Sequence, residues 1–162
     1  MKILGIDPGS RRTGYGIIEV HGDQSSLVHA GVIDTGGGDF PDRLGTIFAE
    51  LRDLIAQHAP VEAAVETVFV SHNVNSALKL GQARGAAICA AIAAGLPVSE
   101  YAPRAIKQAM VGKGSADKQQ VQHMVRILLN HAESLAEDAA DALAVALCHQ
   151  HTQQTLSRLK QR

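Results

Sequence analysis

Tryptophan is absent from this chain, the other aromatics number five, and there are only two cysteines, Cys89 and Cys148. Those cysteines have neither redox nor metal-ligand spacing, which excludes a disulfide scaffold and makes a reducing, cytoplasmic setting the expectation. Nothing at the N-terminus resembles the basic start and apolar core of an export signal. Long hydrophobic runs are also missing. The most apolar stretch, GAAICAAIAAGLPV at residues 85–98, is too short to span a bilayer and is cut by Gly95 and Pro97, so no membrane association is expected. Gly81 and Gly85 before it read as a close-packing device on a soluble helix. Nor does either sign of charge dominate: a net charge of −1 offers no whole-chain reason to expect a nucleic-acid partner.

What is present is 46% hydrophobic and 19% charged residues, the balance of a globular α/β chain long enough at 162 residues to bury a core as one domain spanning 1–162. The charge is unevenly divided. Residues 1–78 carry five basic and ten acidic side chains, residues 79–126 carry seven and two, and residues 127–162 carry three and four. The middle segment is therefore a local cationic region, either a solvated helix surface or a phosphate-facing patch.

Three strands are expected at 2–6, 13–20 and 27–35, joined by short turns as an antiparallel meander. Leu44, Ile47, Phe48, Leu51, Leu54 and Ile55 recur at helical spacing before Pro60. A short apolar run, EAAVE at 62–66, reads as a strand parallel to the first, reached by a helical crossover. A helix over 74–94, a strand in LPVSEY, and helices at 103–111, 117–130 and 138–151 complete the order βββαβαβααα. Residues from about 153 onward read as a flexible tail.

Two of these strands close on acids, Asp7 and Glu66, at the ends where α/β sheets gather ligand chemistry. Asp138 and Asp141, three apart, share a helix face, and Asp141 sits among apolar neighbours where an unpaired charge is disfavoured. Singly, each acid has a structural explanation: a turn aspartate before Pro8-Gly9, a surface strand end, a first-turn helix acid. Together they suggest carboxylates sharing hard divalent ions, Mg²⁺ or Mn²⁺, which as a pair activate water against a phosphodiester. The CHQH fragment at 148–151 lacks the second ligand pair of a zinc site and is expected on a helix surface.

The stretches ILGIDPGSRRTGYG, VETVFVSHNVNSALKLGQARG, IKQAMVGKGSADKQQVQHMV and DAADALAVAL resemble the bacterial RuvC family of Holliday junction resolvases over nearly the whole chain. The resemblance implies an RNase H-like fold, a five-stranded mixed sheet of three antiparallel and then two parallel strands flanked by helices. It implies a homodimer acting in recombination and repair, which nicks two strands of like polarity in a four-way DNA junction and leaves 5′-phosphate and 3′-hydroxyl ends. Two Mg²⁺ or Mn²⁺ ions per site and partnership with the RuvA–RuvB motor are implied as well. The family's catalytic acids fall on Asp7, Glu66, Asp138 and Asp141, its basic positions near the scissile phosphates on Lys107 and Lys118, and its base-stacking aromatic on Phe69. The remaining cations of the basic segment, Lys79, Arg84, Arg104 and Lys113, are candidate DNA contacts. The rivals are a nucleotide-binding domain of the sugar-kinase and actin type, which also begins with a strand, an aspartate and a glycine-rich turn, and a junction-binding protein without nuclease activity.

Overall fold

The computed structural model describes residues 1–68 and 73–160. Ten elements follow in order: β1 (Lys2–Asp7), β2 (Arg12–His21), β3 (Gln24–Asp34), α1 (Phe40–His58), β4 (Glu62–Glu66), α2 (Val74–Ala93), β5 (Val98–Tyr101), α3 (Pro103–Val111), α4 (Lys118–Leu128) and α5 (Glu137–Lys160). The sheet runs β3-β2-β1-β4-β5, with β1–β2 and β2–β3 antiparallel and β1–β4 and β4–β5 parallel. Element order and strand directions are those expected from the sequence.

The period-2 alternation of β1 divides the interior. Leu4 and Ile6 join Ile47, Leu51, Ala83 and Ala87 of α1 and α2 on one face. Ile3 and Ala64 join Ile106, Val121, Val125, Leu143 and Leu147 of α3, α4 and α5 on the other. Burying Leu143 or Leu147 completely contributes about 2 kcal/mol each. Among the described residues no helix is long and apolar enough to cross a membrane.

α5 is the element that positions the site, and three glycines bring it down onto the sheet. A Cβ at Gly5 would stand 2.0 Å from the Ala142 carbonyl oxygen, one at Gly14 1.9 Å from that of Asp138, and one at Gly16 2.6 Å from Leu143. Backbone meets backbone at Gly5 and Gly14, and at Gly16 the strand lies against the Leu143 side chain, so a methyl group along this seam would force α5 or Leu143 to shift.

Because α5 lies between the sheet and α3/α4, every residue from Ala142 to Gln150 is buried. That corrects the expectation for CHQH: Cys148 and Gln150 are inside, and His149 is 1% exposed. The His149 Nε2 lies 2.6 Å from Glu62 Oε2, and its Nδ1 is 2.8 Å from the Tyr101 hydroxyl. A carboxylate only accepts, so Nε2 donates to Glu62, and with the Nδ1–Tyr101 hydrogen bond on its other side the ring ties α5 to β4 and β5.

The helix also continues through the expected tail to Lys160. Thr152, Thr155 and Ser157 return their hydroxyls to carbonyls one turn back, Gln154 donates to the Gly22 carbonyl, and Arg158 pairs with Asp23 at 3.1 Å. The last turns thus dock on the β2–β3 hairpin.

Candidate active site

In the parallel β1–β4 register Ile6 pairs with Val65, so the next residues, Asp7 and Glu66, end side by side. Their carboxyl groups share a hydrogen bond. Burial is the main reason the Asp7 pKa is pushed up from 3.8 to about 8, with the negative charges of Glu66, Asp141 and Asp138 adding to it. Glu66 is also raised by burial, against the opposing pull of its bond to Asp7 and of Lys118 and Lys107. Both shifts run in the direction expected of two buried carboxyl groups that cannot both ionise cheaply.

The glycine seam delivers the other two acids from the first turns of α5. Asp141 is raised mainly by burial, moderated by Lys118, whose Nζ is 2.8 Å from its Oδ2. Lys118 contacts Glu137 as well, and its own pKa is held above the ordinary lysine value by these two acids in spite of partial desolvation. Asp138 lies at the rim, 3.1 Å from Arg12 Nε. All four predicted acids therefore surround one sheet end. Asp7 and Glu66 meet directly, while Asp141 and Asp138 are each turned to a cation of the protein. Among the described residues no three His, Cys, Asp or Glu side chains are placed so that they could together hold a metal ion. The donors nevertheless suit a hard cation in kind, being carboxylate oxygens with no sulfur or imidazole among them, two of them on adjacent strand ends.

Next to the acids lies a cleft of about 250 Å³ lined by Glu66, Lys107, Lys118 and Asp141, with Ile106 and Val121 as its apolar wall. Lys118 opens α4, whose N-terminus is held by a reciprocal Asp117–Gln120 capping box, so the backbone carrying the ammonium is fixed. Lys107 reaches the same cleft from α3, which Pro103 starts and Gly112 ends.

The other basic candidates disperse. Lys113 and Arg104 are exposed on α3 and its following turn, and Lys79 is exposed on α2, 5.7 Å above the Phe40 ring. Arg84 is turned inward: its Nη2 lies 2.7 Å from Glu100, and its Nε donates to the Glu66 carbonyl at 3.1 Å. It braces the strand end that carries Glu66. Phe69 lies outside the described residues.

Sequence reasoning missed Arg12, Glu137 and the glycine seam. Counting charge by segment hid Arg12 in the acidic first half. The seam did leave a signal, since Gly14 and Gly16 of GYG are two apart and so share one strand face.

A family model described as crossover junction endodeoxyribonuclease RuvC matches residues 3–149. The crossover junction endodeoxyribonuclease RuvC of Methylococcus capsulatus is 60% identical over 158 residues, covering 98% of this chain and 95% of its own. That of Alkalilimnicola ehrlichii is 57% identical over 159 residues, with coverage of 98% and 96%. Among solved structures, T. thermophilus RuvC in complex with Holliday junction substrate superposes with a TM-score of 0.90 at 36% identity, covering 96% of both chains. These matches show that the chain belongs to the RuvC family of crossover junction endodeoxyribonucleases.

Proposed function

We propose that this endonuclease resolves four-way DNA junctions by nicking two strands of like polarity, with Asp7, Glu66, Asp138 and Asp141 as ligands of divalent cations, two Mg²⁺ or Mn²⁺ ions per site. The observation that carries this reading is the placement of Asp7 and Glu66 side by side on adjacent parallel strand ends, beside a cleft lined by Glu66, Asp141 and two lysines. When bound, such ions supply an activated water and neutralise the leaving oxygen of the phosphodiester.

The chain's own groups divide the remaining work. Asp7 and Glu66, fixed on adjacent strand ends, set the inner edge of the site, and α5 carries Asp138 and Asp141 in from above. Lys107 and Lys118 line the space a phosphate would enter and oppose charge that develops there. A duplex-only nuclease, a binding protein or an ATP-binding domain would each fail one direct assay. Offered a synthetic four-way junction and a linear duplex in Mg²⁺ or Mn²⁺, the protein is expected to nick only the junction, symmetrically, giving 5′-phosphate ends. Equal cutting of the duplex, or binding without cleavage in either ion, contradicts the reading.

Symmetric nicking needs two sites, and α2 supports a homodimer. Val74, Leu78 and Ile92, 68%, 62% and 56% exposed, stand on one face of α2 with Gly81 and Gly85, above which there is open space. A two-fold pairing of that face covers an apolar stripe that water otherwise meets. The wild-type protein is expected to sediment at about twice its 17.1 kDa chain mass, and Leu78→Glu at the chain mass with single-strand nicks only. A wild-type monomer that still cuts both strands in one encounter overturns the pairing. Base stacking by Phe69, three residues beyond Glu66, and partnership with the RuvA–RuvB motor are supported by the family likeness.

A further inference from the structure

We propose that a second phosphate site lies beside the acid cluster, in the cleft between the β1–β2 turn and the β3–α1 loop, and that it holds a backbone phosphate of the strand being cut. The inference rests on the nuclease reading above and adds to it a binding surface drawn from the acidic first half of the chain. The cleft measures about 480 Å³ and is lined by Arg11, Arg12 and Arg43, the backbone of residues 36–38, and Asp34. Three arginines and one acid line it, and that acid's carboxylate is partly satisfied internally, since Asp34 Oδ1 accepts from the Gly36 amide at 2.9 Å. Guanidinium forks together with open backbone amides are the donor set that phosphate oxygens favour.

Arg12 makes the cleft continuous with the acids, because the side chain that pairs with Asp138 is 57% exposed and also lines the cleft. Arg43 is pre-set: its Nε donates to Thr35 Oγ1 at 3.3 Å, its Nη2 to the Ser10 carbonyl, and its guanidinium lies 5.2 Å above the Phe40 ring. A guanidinium already ordered in this way loses little freedom when an anion arrives. Arg11 is the complement, an exposed side chain on a fixed backbone whose carbonyl accepts from both the amide and the hydroxyl of Thr35.

The glycines give an independent indication. A Cβ at Gly37 would meet nothing within 4 Å, and one at Gly38 only the Asp42 Cβ at 4.0 Å, and neither residue has positive φ. No contact or turn inside the chain calls for glycine at these two positions. Bare backbone there serves close approach from outside.

The test uses the whole protein and a synthetic four-way junction in EDTA, with the dissociation constant measured across salt. Arg11→Ala is expected to weaken binding about three- to tenfold near 0.15 M salt and to lower the salt slope by about 0.9, the signature of one lost phosphate contact. Gly37→Glu, which places a carboxylate in the cleft without strain, is expected to weaken binding at least as much. Arg158→Ala, with the same charge change at the far hairpin, should leave both quantities alone. Junctions carrying one neutral methylphosphonate at successive positions around the cut then locate the contact: one position should weaken the wild type but not Arg11→Ala. Wild-type constants and slopes in both cleft variants, or no position coupled to Arg11, overturn the cleft proposal even if the wild type cuts junctions normally. Failure of the wild type to bind or cut junctions would instead defeat the nuclease reading itself.

Discussion

Asp7→Asn is expected to lower metal-dependent cleavage by about 10³-fold or more while junction binding stays within a few-fold of wild type, because the proposed role of the residue is to ligate metal and not to contact phosphate. The same change is expected to stabilise the metal-free protein at pH 8. The sign follows from the raised pKa of about 8, mainly a consequence of burial. A carboxyl whose folded pKa lies above its unfolded value of 3.8 favours the folded state most below that value, and its contribution fades as pH climbs toward 8. Asparagine has no proton to lose and keeps a donor for Glu66, so it avoids that loss. Each 1.4 kcal/mol of relieved repulsion raises Tm by about 3 to 6 °C in a chain of this size. Metal shows the opposite trend. Ligation requires the deprotonated pair, so the Tm increase produced by Mn²⁺ should grow from pH 6 to pH 8 in the wild type and disappear in the variant. Thermal melts with and without Mn²⁺ at the two pH values check this; an Asp7→Asn protein less stable than wild type in EDTA at pH 8 contradicts it.

The second large effect is expected at a residue with no side chain. Gly14→Ala adds one methyl where the Asp138 carbonyl oxygen would stand 1.9 Å away, and backbone cannot rotate aside as a side chain does. α5 must lift, which costs about 1–3 kcal/mol of stability by overpacking. The helix carries Asp138 and Asp141, and a displacement near 1 Å is enough to reduce cleavage by about 10²-fold. Cleavage at saturating junction and Mg²⁺, compared with the melting temperature, separates the two consequences. Gly45→Ala, which lies in α1 where a Cβ meets nothing within 4 Å, is expected to leave cleavage unchanged and to raise the melting temperature slightly, as Ala favours a helix interior over Gly. Full activity in Gly14→Ala would mean that the glycine seam does not set the position of the acids.

Much of this arrangement was legible because it obeys local rules. Apolar runs closed by Asp7 and Glu66 marked strand ends, the spacing of Leu44 through Ile55 marked α1, and the i, i+3 pair Asp138 and Asp141 marked one helix face. What escaped depends on contacts between distant segments. His149 looked like a surface histidine because nothing local announces Glu62, 87 residues away, or Tyr101, 48 away, as its partners. The polar run after His151 looked like a tail because its docking on Gly22 and Asp23 is tertiary. Arg84 counted as a cation for DNA until Glu100 and the Glu66 carbonyl claimed it, whereas Arg11, Arg12 and Arg43 were hidden in a segment whose acids outnumber its bases.

The central claim is that Asp7, Glu66, Asp138 and Asp141 form one pocket that takes up divalent cations. Anomalous diffraction from crystals of the protein grown with Mn²⁺ measures this most directly. The account predicts density between the Asp7, Glu66 and Asp141 carboxylates, absent from Asp7→Asn crystals prepared in the same way. Manganese bound only elsewhere, in a preparation that cuts junctions at the wild-type rate, would contradict it.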